Sequence, residues 1–458
     1  MRVTIGETIR IEHPSREIAN WCNTHLILPN PDYEKKAAMG FWVGGTPQTL
    51  TLWEKFGNTW ELPFGTLRQI LPMLENIETG FKAPTPVRYG GTEVPLYDYQ
   101  REAVDGMVRA KYGILQSAAG SGKTQMGIAL VKRWGCTALW LTHTQDLLRQ
   151  SMERARLYMD PKTFGVITAG KVNIGSGITF ATVQTMSKLD LARYKDLWDV
   201  VIVDECHHSV GAPTKLTMYY KVLNNLRARH KYGLSATVHR ADGLIPALYA
   251  LLGPVMWKVP DEAVAERVMK AEIKPIQTGV GLSEECLKPD GTLNYTGMIT
   301  YLSGCEERND IILDCLEEEE GRSCLILSDR IDHLDTLFRA LPPQMRHDAV
   351  MITGKMTSKA GKAEREAALD QMRSGEKKYL FASYALAKEG LDIPNLERLF
   401  MATPVKDEAV VIQAVGRVSR TSPGKDTPMV YDFIDNIRYC QRAYRERTRH
   451  YRKIGAVM

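Results

Sequence analysis

The chain has 458 residues, more than one hydrophobic core usually organises, so its length predicts two or three domains. A hydrophobic content of 44%, a charged content of 25% and a mean hydropathy of -0.25 exclude a disordered, fibrous or membrane-spanning chain. The net charge of +5 permits a polyanionic partner without requiring one, and eight cysteines without a CxxC pair exclude a zinc ribbon. We expect reduced thiols in a cytoplasmic protein.

Residues 1–86 consist of short apolar runs broken by Pro and Gly. Segments such as TLTLWEK and TWELPFG are typical of strands joined by tight turns, so we expect a small β-rich domain with some helix. The Pro- and Gly-rich segment 82–95 is predicted to be a linker. Because the later motifs all follow residue 86, this domain is expected to be removable without unfolding the rest.

After residue 86, apolar strands alternate with amphipathic helices, a pattern typical of parallel sheets covered by helices. Residues 87–258 contain the predicted strands YGILQ, ALWLTH, ITFAT, DVVIVD and KYGLSAT. Residues 259–458 contain CLILS, AVMITG, KYLFAS, RLFMAT and MVYDFI. The sequence therefore predicts an α/β protein with two tandem parallel-sheet lobes after the amino-terminal domain.

A glycine-rich loop, SAAGSGKT, lies between the strand YGILQ and an apolar helix, the context that a phosphate-binding P-loop requires. Its backbone N–H groups and the helix N-terminus favour a phosphate. Lys123 is placed to reach the β- and γ-phosphates, and the Thr124 hydroxyl to bind Mg²⁺. Ser117 replaces the usual first glycine, a position that accepts small residues. The predicted ATP-binding residues here are Ala119, Gly120, Ser121, Gly122, Lys123 and Thr124.

Two adjacent carboxylates, Asp204 and Glu205, end the apolar strand in DVVIVDECHH. Carboxylates at the end of a buried strand are costly unless they bind a cation. We predict that Asp204 holds Mg²⁺ and that Glu205 orients and deprotonates the attacking water. The alternative is an exposed acidic turn. His207 and His208 follow without further ligand spacing, so we do not predict a metal site there.

The string DECH resembles the DEAD/DEAH box of superfamily 2 helicases, and the other motifs of that family follow in order. LYDYQREA resembles the adenine-reading Q motif, which implies hydrogen bonds from Gln100 and stacking by Tyr97. LSAT resembles motif III, which implies that Ser235, Ala236 and Thr237 couple ATP to nucleic acid. AKEGLD resembles motif V, with Gly390 and Asp392 at the ATP site. The resemblance implies that both lobes are RecA-like and that the protein uses ATP and Mg²⁺.

LTHTQDLLRQ, TAGK and FATVQT resemble motifs Ia, Ib and Ic. Their polar residues lie at predicted strand ends or helix starts, where hydroxyls and helix N-termini suit a phosphate backbone. We therefore predict nucleic-acid contacts by Thr142, Thr168, Thr182, Gln184 and Thr185. Each threonine alone is equally compatible with an N-cap of a helix.

QAVGRVSR resembles motif VI and has a physical rationale of its own. Gln413, Arg417 and Arg420 fall at i, i+4 and i+7, which predicts one shared helix face. The arginines would stabilise the γ-phosphate during hydrolysis, in an ATP site split between the lobes. The alternative is ordinary surface charge.

The carboxyl-terminal helix is predicted to carry arginines at steps of four, three, four and three, beside a largely apolar face. The arginines are Arg438, Arg442, Arg445, Arg449 and Arg452, and the adjoining face has Ile437, Cys440, Tyr444, Tyr451 and Ile454. A solvated surface and a phosphate-binding surface both fit this pattern.

Within the superfamily, DECHHSVGAPT and LSATVHRADGL resemble the XPB-like, RecG-like and phage UvsW-like DNA motors. LPNPDYEKKAAMGFW resembles the amino-terminal DNA-binding domain of phage branch-migration helicases, which also suggests a phage origin. That domain offers a possible stacking and charged surface, formed by Trp42, Trp53 and Trp60 with Lys35 and Lys36. At least two of these tryptophans are expected to lie in the core.

The resemblance implies an ATP-dependent helicase or translocase that acts as a monomer on duplex, branched or single-stranded DNA. Its expected substrates are forks, D-loops and Holliday junctions, and it would act in the cytoplasm, that of the host if phage-encoded. Two alternatives remain open: an RNA helicase, and an ATP-switched DNA clamp that does not translocate. Glu205, Arg417 and Arg420 argue against the clamp, since a pure switch does not need rapid hydrolysis.

Overall fold

The computed structural model describes residues 1–118, 120–168, 170–209, 213–236, 243–265, 269–356, 358–388, 391 and 393–458. It forms two compact units. One contains Met1–Ala118 and Gly122–Pro260, and the other contains Asp261–Met458 with the short segment 119–121. No helix among these described residues is both long and apolar enough to cross a membrane. Seven of the eight cysteines are buried and all eight are free thiols, as predicted.

The amino-terminal region is built on a five-stranded sheet of order β5-β6-β2-β1-β7, with a separate β3-β4 pair. Val3, Ile9, Ile11 and Leu62 are fully buried because alternate residues of its strands face one side. The β-rich domain with some helix is confirmed. Its elements are β1 (Arg2–Ile5), β2 (Thr8–Glu12), α1 (Arg16–His25), β3 (Ile27–Pro29), α2 (Pro31–Ala38), β4 (Thr49–Thr51), β5 (Glu54–Phe56), β6 (Thr59–Pro63), α3 (Leu67–Ile70) and β7 (Ile77–Thr79).

The first lobe has an eight-stranded sheet of order β11-β10-β12-β9-β13-β14-β8-β15, parallel except for β11. Its central strands are fully buried, as their continuous apolar sequences predict. The elements are α4 (Asp98–Ala110), β8 (Gly113–Gln116), α5 (Lys123–Trp134), β9 (Ala138–Thr142), α6 (Gln145–Arg156), β10 (Phe164–Thr168), β11 (Lys171–Asn173), β12 (Ile178–Thr182), α7 (Val183–Met186), β13 (Val200–Val203), α8 (Pro213–Leu223), β14 (His230–Ser235), α9 (Ile245–Leu252) and β15 (Val255–Lys258).

The second lobe has a six-stranded parallel sheet of order β16-β21-β20-β17-β19-β18. The two tandem RecA-like lobes with parallel sheets are thus confirmed. Its elements are α10 (Asp261–Ala265), β16 (Glu272–Gln277), α11 (Tyr295–Gly304), α12 (Glu306–Glu317), β17 (Cys324–Ser328), α13 (Ile331–Ala340), α14 (Pro343–His347), β18 (Ala349–Ile352), α15 (Lys359–Ser374), β19 (Tyr379–Ser383), α16 (Tyr384–Lys388), β20 (Arg398–Met401), α17 (Glu408–Val418), β21 (Met429–Ile434) and α18 (Arg438–Lys453).

The amino-terminal region and the first lobe share one hydrophobic core rather than separate ones. Lys231 of β14 is fully buried and donates to the carbonyl oxygens of Leu223 at 2.7 Å and Glu7 at 2.9 Å. Burial lowers the pKa of Lys231 to about 7. The predicted linker has no helix or named strand, but its Tyr89 hydroxyl donates to the Cys136 carbonyl oxygen at 2.6 Å and fixes it to the lobe. Removal of residues 1–86 would therefore expose core residues and leave Lys231 without one carbonyl partner, so from the structure we expect this deletion to destabilise the first lobe.

We expect the substitution Gly65→Ala to destabilise this shared core. A Cβ at Gly65 would lie 2.3 Å from the Tyr249 carbonyl oxygen and 2.4 Å from the Gly253 nitrogen, both backbone atoms of the first lobe. Overpacking of this kind lowers the free energy of unfolding by about 1–3 kcal/mol. At Gly80, a Cβ would meet its nearest atom at 3.6 Å, an ordinary contact, so Gly80→Ala is the matched control. Thermal unfolding of the two variants measures the difference, and equal melting temperatures would contradict the close packing.

Candidate functional site

The P-loop leaves β8 and turns into α5 through residues with left-handed backbone. Gly120 has a φ of 80° and Gly122 a φ of 82°, conformations that favour glycine. A Cβ at Gly122 would also lie 2.5 Å from the Gln100 Nε2 atom. Ser117 is buried, and its backbone N–H donates to the Ser235 carbonyl oxygen at 3.0 Å, so this small residue fits the first P-loop position. Ala119 lies outside the described residues.

Lys123 is the first residue of α5 and is 9% exposed. Its Nζ donates to the Ala118 carbonyl oxygen at 3.5 Å and lies 3.6 Å from the Glu205 Oε1 atom. Thr124, the next residue, is half-buried, as is Gly122 before it. The P-loop ammonium and the predicted catalytic carboxylate therefore lie side by side within the first unit.

Asp204 and Glu205 follow the last residue of β13. Asp204 Oδ2 accepts a hydrogen bond from the Ser151 hydroxyl at 3.1 Å, and Oδ1 accepts one from the Glu205 backbone N–H at 3.0 Å. Burial raises the pKa of Asp204, the Glu205 charge raises it further, and Lys123 opposes both. A bound cation would favour its ionised form. Ser151 of α6 is a site residue that the sequence pattern did not reveal.

Glu205 has a φ of 46°, which is uncommon for a residue other than glycine. Strained backbone of this kind concentrates at functional sites, where surrounding contacts hold it. One carboxylate oxygen faces Lys123, and the other lies 3.4 Å from the His207 Nδ1 atom. The acidic pair is thus not the exposed turn that was the alternative interpretation.

His207 links the acidic motif to motif III. Its Nδ1 atom lies 3.0 Å from the hydroxyl of Ser235, the last residue of β14, and both side chains are buried. Ser235 is one of the predicted coupling residues, Ala236 is half-buried beside it, and Thr237 lies outside the described residues. The sequence pattern raised His207 only as a possible metal ligand, which was not predicted, and it gave no local signal for the contact with Ser235.

The Q-motif residues occupy the start of α4. The Gln100 side-chain oxygen accepts a hydrogen bond from the Tyr97 backbone N–H at 2.9 Å, which caps the helix. Tyr97 is half-exposed, with its ring 5.9 Å from that of Tyr99. The structure thus assigns Gln100 a capping role beside the P-loop, and its contacts with adenine stay a prediction.

The residues present fit a magnesium nucleotide. Gly120 and Gly122 take the left-handed backbone typical of anion-binding turns, and the Ser117 hydroxyl is buried without a hydrogen-bond partner in the described part of the chain. Asp204 and Thr124 offer the oxygen ligands that Mg²⁺ prefers, and Lys123 offers a cation to the phosphates. Bound Mg²⁺ would neutralise charge that develops on the phosphates during hydrolysis.

A second feature of the first unit is a groove of about 600 Å³ at the carboxyl ends of β10 and β12. Four of the five predicted nucleic-acid contacts line it: Thr168, Thr182, Gln184 and Thr185. It also contains His143, Lys171 and Lys188, which were not among the predicted contacts. Both lysines are exposed, and neither ammonium has an ion-pair partner among the residues described. Hydroxyl, amide and ammonium groups together suit a phosphate backbone.

Thr142 does not line this groove. Its side chain is fully buried, and its hydroxyl donates to the Thr144 carbonyl oxygen at 2.9 Å, so the predicted contact with nucleic acid is wrong for this residue. Thr144 instead caps α6 by accepting from the Leu147 backbone N–H. A threonine of this motif does cap a helix, as the alternative interpretation proposed, but it is Thr144 and not Thr142.

In the second unit, Gln413 and Arg417 lie on α17, and both are half-buried. Arg417 donates to the carbonyl oxygens of Ala387 at 2.9 Å and Leu391 at 3.0 Å, next to motif V. Gly390 and Asp392 of that motif lie outside the described residues. The helix ends at Val418 with Ser419 as its C-cap, so Arg420 lies beyond it. The prediction of one helix face shared by all three residues is wrong for Arg420, because a TSPG turn stops the helix earlier than the pattern implied.

Residues 93–240 match the family described as type III restriction enzyme, res subunit, and residues 307–422 match the helicase conserved C-terminal domain. A protein of Acanthamoeba polyphaga mimivirus named as an ATP-dependent RNA helicase is 28% identical over 72% of this chain and 62% of its own length. The DNA 3'-5' translocase XPB2 of Sulfurisphaera tokodaii is 25% identical over 72% of this chain and 79% of its own length.

Among solved structures, S. cerevisiae Dbp5 bound to RNA and ADP BeF3 aligns with 85% of this chain and 92% of that one, at 15% identity and a TM-score of 0.57, which reflects a common fold. The crystal structure of T4 UvsW aligns with 99% of this chain and 98% of that one, at 16% identity and a TM-score of 0.41. With the family matches and the motif geometry, the predicted resemblance is confirmed: the chain belongs to the superfamily 2 helicases, which are ATP-dependent enzymes, and is related to XPB.

Proposed function

We propose that this helicase is an ATP-driven DNA translocase that remodels branched DNA such as forks, D-loops and Holliday junctions. The observation that supports the proposal is a set of side-chain contacts within the first unit that connects the P-loop to motif III. Lys123, Glu205, His207 and Ser235 form one continuous chain of contacts from the P-loop to motif III. A change at the nucleotide can therefore reach β14 through packed polar groups rather than through solvent.

The chemistry of this site suits hydrolysis as well as nucleotide binding. We propose that Glu205 accepts a proton from water while Lys123 stabilises phosphate charge, roles that the pairing of a half-buried carboxylate with a buried ammonium supports. A clamp that binds DNA without moving would not need this proton acceptor. Release of phosphate would then change the contacts around Glu205 and His207.

The groove supports nucleic acid as the partner. Its hydroxyls and lysines suit a phosphodiester backbone, so we propose sequence-independent contact with one strand. DNA rather than RNA is favoured by the XPB-like motif strings and by the named activity of the Sulfurisphaera relative. The name of the mimivirus relative keeps an RNA substrate as the second candidate.

The amino-terminal region offers one further surface for DNA. Trp53 and Trp60 stack at 4.2 Å within the shared core, whereas Trp42 is 82% exposed beside exposed Phe41 and Met39. This agrees with the expectation that two of the three tryptophans are structural. We propose that Trp42 stacks on unpaired bases near a branch point, since exposed aromatic rings bind bases without sequence preference.

Substitution of the groove lysines should weaken DNA binding in a salt-dependent way. We expect Lys171→Gln combined with Lys188→Gln to reduce the slope of log affinity against log salt concentration by about 1.8. Each phosphate contact that is lost lowers the number of counterions released on binding, and so the slope, by about 0.9. Lys162→Gln, an exposed lysine of the same lobe outside the groove, is the matched control. Fluorescence anisotropy across a salt series measures the slope, and an unchanged slope would show that the groove does not contact DNA.

Movement along DNA is tested by displacement of a third strand from a DNA triplex. A translocase displaces the strand only with ATP, whereas a clamp binds the same duplex and leaves the strand in place. ATP-dependent displacement that Lys123→Ala abolishes is the expected result. Duplex binding and ATP turnover without displacement would favour the clamp.

A further inference from the structure

The exposed face of α18 carries five arginines in one row. Arg438, Arg442, Arg445, Arg449 and Arg452, here called the arginine row, are all exposed, as the sequence predicted. Arg449 pairs with Glu446 at 3.1 Å. The other four make no side-chain hydrogen bond or ion pair within the described part of the chain.

The opposite face of α18 is fixed to the second lobe by buried polar contacts. Arg447 forms a fork with Asp432, with nitrogen–oxygen distances of 2.9 and 2.7 Å, and the Tyr451 hydroxyl donates to the same carboxylate at 2.7 Å. Cys440 and Ala443 are buried on that side as well. The helix is therefore held in one orientation, and the arginine row is presented as a fixed surface.

Four unpaired arginines on one helix carry an electrostatic cost, because like charges three and four residues apart repel. Two arginines on other helices of this unit have carboxylate partners one turn away. Arg339 pairs with Asp335 at 2.9 Å, and Arg373 pairs with Asp370 at 2.6 Å. The row thus differs from an ordinary solvated face and is complementary to an anionic partner.

We propose that the arginine row binds the phosphate backbone of duplex DNA, separately from the groove of the first lobe. This inference rests on the proposed function and adds a second contact surface to it. The row extends about 21 Å along the helix axis, with successive side chains about 5–6 Å apart. A duplex presents one charge per about 1.7 Å over such a length, so a straight, fixed row meets several phosphates at once.

The composition of the row favours duplex over single-stranded DNA. Sites for single strands combine charge with aromatic rings that stack on bases. Here the aromatic neighbours Tyr439 and Tyr444 are half-buried, with the Lys406 ammonium 5.6 Å from the Tyr439 ring centroid and the Arg447 guanidinium over Tyr444. Exposed Lys406 extends the positive surface at the start of α18. The row would hold a duplex arm of a branched substrate without reading its sequence.

The test compares the triple variant R438Q/R442Q/R445Q with R339Q, an exposed but paired arginine of the same unit. Binding of the full-length proteins to a 20-base-pair duplex is measured by anisotropy across a series of KCl concentrations. We expect the triple variant to reduce the slope of log affinity against log salt by about 2.7, and R442Q alone by about 0.9. R339Q should match the parent protein. Circular dichroism and melting temperature verify folding, and R442Q keeps the test valid if the triple variant is unstable.

Three outcomes would overturn the inference that the arginine row binds duplex DNA. An unchanged slope means that the row does not touch duplex DNA, and an equal fall of slope on a single strand means that it is not selective for duplex. Row-dependent binding to an acidic protein or to vesicles containing phosphatidylserine, with the duplex slope unchanged, would identify a different partner. A parent protein that binds no DNA would instead refute the proposed function, so the two failures are distinguishable.

Discussion

Replacement of Arg417 or Arg420 by alanine is expected to reduce DNA-stimulated ATP turnover by about 10³- to 10⁵-fold, or roughly 4–7 kcal/mol of transition-state stabilisation. The prediction rests on the resemblance to motif VI, whose arginines would supply positive charge to the γ-phosphate during hydrolysis. Nucleotide affinity should change by less than about tenfold, because Lys123, Asp204 and Glu205 belong to the first unit and are left intact.

Arg417 also has structural contacts, since it donates to the carbonyl oxygens of Ala387 and Leu391. A purely structural role would lower the melting temperature and nucleotide affinity together with turnover. Arg417→Lys separates the roles, because a lysine keeps the charge but cannot reproduce the planar fork, and we expect it to restore little activity. If either alanine variant turned over ATP at the parent rate on saturating DNA, that arginine would have no catalytic role.

Glu205→Gln is expected to keep ATP binding and to lower the hydrolysis rate by about 10²- to 10⁴-fold, the usual contribution of a positioned general base. The amide keeps the shape of the side chain beside Lys123 and His207 but cannot accept the proton from water. The variant should remain bound to DNA with ATP, because its cycle stops before hydrolysis. Single-turnover hydrolysis and equilibrium nucleotide binding measure the two effects separately.

Lys123→Ala is the comparison for this prediction. Removal of the ammonium takes away a contact with the β- and γ-phosphates, so both nucleotide affinity and hydrolysis should be lost while the fold survives. A Glu205→Gln protein that lost ATP affinity as completely as Lys123→Ala would show that Glu205 is structural. Retained turnover in Lys123→Ala would refute the P-loop assignment.

The sheets and the P-loop were predictable because their signals are local. Continuous apolar runs such as ITFAT and MVYDFI became buried parallel strands, and Gly122 takes the positive φ that the loop requires. Strands β10, β11, β15 and β16 were missed. The last three lie at sheet edges and are at least partly exposed, and β10 is only partly buried, so none of the four has a fully buried apolar run. The end of α17 before Arg420 was missed because helix spacing alone ignores the turn residues that follow.

Contacts between distant residues could not be predicted from one sequence. Nothing local indicates that Ser151 binds Asp204, that His207 meets Ser235, or that Lys231 enters a core shared with the amino-terminal region. Thr142 was assigned to the nucleic-acid interface by its motif, yet its burial depends on the packing of β9 in the middle of the sheet. These contacts arise from tertiary structure, which sequence periodicity does not encode.

The ATPase rate of the full chain with different nucleic acids, measured side by side, tests most directly whether this protein is a DNA motor. Single-stranded DNA, duplex, forked DNA, a four-way junction and RNA would be compared at equal nucleotide concentration and fixed salt. We expect DNA to stimulate hydrolysis more than RNA does, with forked DNA and the junction giving the highest rates. Stimulation mainly by RNA, or equal rates with and without nucleic acid, would contradict the proposed function.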